Sequence, residues 1–94
     1  MITVIATVRA KPGKGPELEA DFRAYAEVVK ANEPGTLMYT LSRSREDADL
    51  YYALETYADE AAVQAHMQNF QNRQGGATDI AAGPPQIQVL DRIV

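Results

Sequence analysis

Apolar and polar positions along this chain change period from two to about 3.6 and back, twice over, and the changes mark its elements. Residues 2–9 set Ile2, Val4, Ala6 and Val8 against Thr3, Ile5, Thr7 and Arg9, a β-branched run with strand period. After a Lys/Gly/Pro loop, Leu18, Phe22, Tyr25, Ala26 and Val29 recur at helical spacing and predict a helix from residue 16 to about 31. Pro16 suits its first position, and Pro34 with Gly35 ends it and turns the chain. Strand period returns over residues 36–43, with Leu37, Tyr39 and Leu41 opposite Met38, Thr40 and Ser42. A charged hairpin (44–49) leads to a third strand, 50–57. One of its faces carries Leu50, Tyr52, Leu54 and Thr56, the other Tyr51, Ala53, Glu55 and Tyr57. Asp59 is placed to cap a second helix that runs to about residue 73, with Val63, Met67 and Phe70 as its stripe and Gly75 as its stop. Residues 76–85 are turn-rich, with one helical turn expected over 79–82, and residues 86–94 form the last strand.

The order β-α-β-β-α-β defines an α+β, ferredoxin-like domain over residues 1–94, with a four-stranded antiparallel sheet. Right-handed crossovers place both helices on one face. The other face is too apolar to be left in water, so the pattern predicts a homodimer whose two sheets pack together as a dimeric α/β barrel.

Composition sharpens that expectation. A chain of 94 residues buries only about 60–65% of its unfolded surface, so it gains from added core. With no cysteine and one histidine, neither disulfides nor a Cys/His metal site supplies it. A net charge of -4 opposes nucleic acid as a partner. No apolar run is long enough for membrane insertion, and the first residues read as strand and not as a leader, so a cytoplasmic protein is expected.

Glu33-Pro34-Gly35 before a strand bearing Tyr39, then Glu55 with Tyr57, an acidic helix start at Asp59, and His66 within that helix form one constellation. In it the chain resembles the antibiotic biosynthesis monooxygenase family, which includes quinol monooxygenases. The resemblance implies a dimeric barrel and oxidation of a quinol or other hydroxylated aromatic by O₂, with no cofactor: no flavin, haem or metal. Many relatives, the haem-degrading branch among them, carry tryptophan where this chain has Tyr57, which weighs against haem degradation.

Such chemistry needs a base, donors that stabilise an anion, and a dry apolar space. His66 lies four residues from both Ala62 and Phe70, at the border of the Val63/Met67 stripe, and is the candidate base or anion stabiliser. Tyr39 and Glu55 join it as catalytic candidates, Glu55 by orienting the imidazole. Asn32 and Tyr52 are candidate hydrogen-bonding groups for substrate, with Phe22, Tyr25, Met67 and Phe70 as walls. Each has a scaffold reading too. A histidine on a helix flank is commonly a satisfied boundary residue, Asn32 a helix-stop residue, and Glu55 one half of a cross-strand pair with Arg43. The amide-rich run 68–73 has no assigned role. An accessory binding module, or an isomerase or cyclase of an aromatic compound, would use the same scaffold without consuming O₂.

Overall fold

The computed structural model of the chain describes residues 1–73 and 79–94. Its elements are β1 (Ile2–Arg9), α1 (Gly15–Asn32), β2 (Thr36–Arg43), β3 (Leu50–Tyr57), α2 (Glu60–Asn72) and β4 (Gln86–Asp91). The strands form one antiparallel sheet in the order β2-β3-β1-β4, the ferredoxin-like arrangement. The expected helix stop at Gly75 lies outside the described residues. Of the helical turn expected over 79–82, Asp79 has 3₁₀ geometry and Ile80 lies in a turn, whereas Ala81 forms an isolated antiparallel bridge with Ala10; the Ile80 carbonyl accepts from Lys11 N–H at 2.7 Å.

Register places one side chain of each strand beside the next. On the helix side, Tyr39, Glu55, Val4 and Val89 form one row, and Leu41, Ala53, Ala6 and Ile87 the row beside it. The second row has two alanines at its centre, so the sheet is low there. Strict alternation along β2 does not hold. A bulge between Thr36 and Met38 inserts Leu37, so Thr36 and Tyr39 both face the helices although three residues apart. Leu37, expected on the same face as Tyr39 and Leu41, is instead 51% exposed.

Two small cores flank the low part of the sheet. Val4, Tyr57 and Val63 pack with Ile2, Ala62 and Met67 at one end, and Ala10, Leu18 and Tyr51 with Val8, Leu41 and Ile80 at the other. Glu19 ties α1 to the second of these, accepting hydrogen bonds from Tyr51 Oη at 2.6 Å and Arg43 Nη1 at 2.7 Å. Arg43 therefore pairs with Glu19, and the cross-strand pair with Glu55 does not form. On the helix-free side Met38, Tyr52, Leu54 and Leu90 remain 36–45% exposed. Among the described residues no helix is long and apolar enough to cross a membrane.

Candidate active site

The segment linking α1 to β2 carries the first component. Glu33 is the residue at which α1 stops, its N–H bonded to the Val29 carbonyl at 2.8 Å. Pro34 keeps Glu33 out of helical geometry, so its side chain leaves the helix axis and enters the protein. Gly35 has no left-handed backbone; the only positive φ among the described glycines is at Gly13. What Gly35 provides is proximity. A Cβ built on it would stand 2.6 Å from Ala62 Cβ, so α2 rests directly on this turn. The Gly35 carbonyl also accepts from Ala58 N–H at 2.9 Å, just before Asp59 caps α2 through the N–H of Ala62, also at 2.9 Å.

That close approach brings Glu33 against the inner flank of α2. Glu33 Oε1 lies 2.8 Å from His66 Nδ1 and accepts from Thr36 Oγ1 at 2.9 Å, while Oε2 accepts from Asn69 Nδ2 at 3.2 Å. The other nitrogen of the imidazole, Nε2, faces Glu55 Oε1 at 3.8 Å, beyond hydrogen-bond range. Glu55 Oε1 accepts from Tyr57 Oη at 2.5 Å. Glu33, Glu55, His66 and Tyr57 are all buried, at 7%, 4%, 4% and 0% exposure. One imidazole thus sits between two buried carboxylates, a charge arrangement that a core kept only for packing would avoid.

Rings complete the site. Tyr39 stands edge-on to His66 with centroids 5.0 Å apart, and Phe22 stacks on Tyr39 at 4.6 Å. Arg73, held by Asp21 at 2.9 Å, lies 4.2 Å over the Tyr25 ring. Between the helices and the low alanine row is a cavity of about 220 Å³, into which His66, Glu55 and Tyr39 open. For scale, an engineered apolar cavity of roughly 150 Å³ holds benzene.

Burial sets the protonation of this cluster. It raises the Glu55 carboxyl above the usual carboxylate range, a push opposed by the Tyr57 hydroxyl and by His66, and reinforced by Glu33. Burial likewise raises the Tyr39 phenol well above its ordinary value, with the Glu55 carboxylate adding to the shift. It raises Tyr57 further still, helped by the hydrogen bond to Glu55. Both phenols therefore remain hydrogen-bond donors at neutral pH. The arrangement can take a proton from a buried hydroxyl group and hold the resulting positive charge between carboxylates.

The structure brings together His66, Tyr39 and Glu55, with Phe22, Tyr25, Met67 and Phe70 around the same space. It does not bring Asn32 or Tyr52 there. The Asn32 amide is exposed and turned back onto the Val28 carbonyl at 2.8 Å. Tyr52 is on the helix-free face, level with Thr7 and Ser42. Residues not named as site candidates from the sequence are Glu33, Tyr57, Asn69 and Arg73. Tyr57 had a usable signal, since it shares a strand face with Glu55 two residues away. Glu33 had one as well: a glutamate between a helix end and a proline, in a chain with a single histidine. Among the described residues no group of three or more His, Asp or Glu side chains is placed to hold a metal ion.

Comparison with known proteins agrees with this fold. The family model described as antibiotic biosynthesis monooxygenase matches residues 1–75. A Caulobacter crescentus CB15 protein described as a "putative antibiotic biosynthesis monooxygenase" is 38% identical, covering 99% of this chain and 90% of its own, with a TM-score of 0.88. A Pseudomonas aeruginosa protein is 31% identical over 99% of this chain and 94% of its own, with a TM-score of 0.80. A Nitrosomonas europaea protein shares the fold at 17% identity, covering the whole of both chains with a TM-score of 0.82. Among curated proteins none matches this chain significantly.

Proposed function

This chain belongs to the antibiotic biosynthesis monooxygenase family, and on that premise we propose that it oxidises a small quinol or related hydroxylated aromatic with O₂, using no cofactor. The observation that carries the reading is the buried imidazole of His66, set between two carboxylates at the wall of an aromatic-lined cavity. A quinol in that cavity gives a hydroxyl proton to His66 Nε2, and the imidazolium is held by Glu33 and Glu55. The quinolate passes one electron to O₂. Semiquinone and superoxide then join at a ring carbon, forming a C–O bond and a hydroperoxide. Loss of the proton on that carbon breaks the O–O bond and releases water, so quinol and O₂ become hydroxyquinone and water. The substrate supplies all four electrons. Tyr39, kept protonated by its burial, donates to the developing oxyanion. Phe22, Tyr25, Met67 and Phe70 hold the ring and exclude water.

An oxygen electrode with a panel of one- and two-ring quinols tests the reading. Uptake of one O₂ per quinol is expected, and His66→Ala should lower it about 10²–10⁴-fold, the usual contribution of a positioned base. No uptake by the unaltered protein with any quinol would overturn the oxygenase reading and favour an accessory binding module or an isomerase.

The assembly belongs to the same proposal. Met38, Tyr52, Leu54 and Leu90 leave an apolar sheet face uncovered, and a second copy presenting the same face would close it as a two-fold barrel. A solution mass of two chains at micromolar concentration is expected; a mass of one chain would end the barrel reading.

A further inference from the structure

Glu33 contributes nothing to the cavity wall, yet it makes the shortest contact to the imidazole. His66 Nδ1, Thr36 Oγ1 and Asn69 Nδ2 converge on its carboxylate at 2.8, 2.9 and 3.2 Å. The hydroxyl and the amide both aim hydrogens at it, and an ionised carboxylate has none to give back. The hydrogen of the Glu33–His66 contact must therefore belong to Nδ1. We propose that Glu33 is a positioning residue that fixes His66 as the Nδ1–H tautomer, leaving the Nε2 lone pair directed at the cavity.

The surroundings of Nε2 fit that assignment. Its nearest carboxylate oxygen, Glu55 Oε1, is 3.8 Å away and already accepts the Tyr57 hydroxyl. An Nε2–H would have no partner at hydrogen-bond distance there, whereas a lone pair is ready to take a substrate proton. An imidazole in water favours Nε2–H, the wrong form for this task, so something in the protein has to invert the preference. Asn69 and Thr36 do so indirectly: they hold the Glu33 carboxylate still, at the stop of α1, while Gly35 sets the distance between that stop and α2. The Glu-Pro-Gly-Thr stretch is on this account one device. Pro34 ejects the glutamate from the helix, Gly35 lets α2 approach, and Thr36 steadies the carboxylate.

The importance of the tautomer for turnover rests on the oxygenase reading above, but the tautomer itself does not. Because His66 is the only histidine, the imidazole ¹⁵N spectrum of the labelled, intact protein is unambiguous. Above the pH at which the ring is neutral, the unaltered protein should show a protonated Nδ1 and an unprotonated Nε2. In Glu33→Gln, whose side chain keeps the size and can accept from or donate to the ring, the spectrum should become a mixture or shift to Nε2–H. Quinol-dependent kcat should then fall on the order of 10²-fold with KM little changed, since the altered group touches no substrate. An Nε2–H tautomer in the unaltered protein would overturn the proposal outright, whether or not the variant folds. So would a Glu33→Gln spectrum identical to that of the unaltered protein. The expected tautomer in a protein that consumes no O₂ would leave this inference standing and remove the oxygenase reading alone.

Discussion

Alternate residues of β3 meet opposite surroundings. Tyr51, Ala53, Glu55 and Tyr57 face the helices and are all buried, whereas Tyr52 and Leu54 face away and are 37% and 36% exposed. By hydropathy alone the assignment would be reversed: the buried row carries a carboxylate and two phenols, the outer row two leucines, a tyrosine and Thr56, of which only Thr56 is buried. Crossover handedness places the helices and so decides which row is buried, and the polar atoms of the buried row then need partners. They have them. The Tyr51 hydroxyl reaches Glu19, and the Tyr57 hydroxyl reaches Glu55. The helix-side face is a fully partnered interior, and the opposite face is the one that the proposed second copy would cover.

The largest effect that tests this contrast is truncation on each side of the same strand. Tyr57→Ala should cost about 3–5 kcal/mol by leaving a cavity under α2 and stranding Glu55. That loss should be independent of protein concentration. Tyr52→Ala touches no intrachain core; within one subunit it should cost less than about 0.5 kcal/mol. If a second copy covers that face, its effect appears instead as a concentration-dependent unfolding midpoint. Equal, concentration-independent losses in urea titrations of the two variants would erase the distinction between the faces.

A smaller effect is expected where the turn meets α2. Gly35→Ala places a methyl 2.6 Å from Ala62 Cβ, inside any real contact distance, so turn and helix must part. Overpacking of this kind costs about 1–3 kcal/mol. It should also lengthen the Glu33–His66 contact, so the ¹⁵N spectrum of His66 should change in parallel with the urea midpoint. A loss of stability with an unchanged imidazole spectrum would show that the turn supports the fold without setting the ring.

These sites also show what the chain discloses in advance. Period and caps foretold six elements, and the parity of β3 put Glu55 beside Tyr57, because such patterns are local. The errors fall where one residue decides. α1 runs to Asn32, so Asn32 turns its amide to Val28 while its neighbour Glu33 enters the site. The β2 bulge moves Leu37 out of line and brings Thr36 round to Glu33, and no hydrophobic period announces an inserted residue. The Glu33–His66 contact joins residues 33 positions apart. Only the packing distance of α2, set by a glycine, brings them together.

The smallest effect appears over only part of the pH range, and it concerns Glu55. Glu55 titrates above the usual carboxylate range in the folded protein, mainly through burial. Below the unfolded value both states hold its proton and nothing is gained or lost. As pH rises past that value, the unfolded chain ionises freely while the folded protein keeps its proton, so stability falls until the folded value is passed and then levels off. Glu55→Gln cannot ionise and should lack this decline. Urea midpoints from about pH 4 to about pH 8 should show the gap between protein and variant moving in favour of the variant as pH rises. A gap moving the other way would mean that Glu55 is held as a stabilised carboxylate.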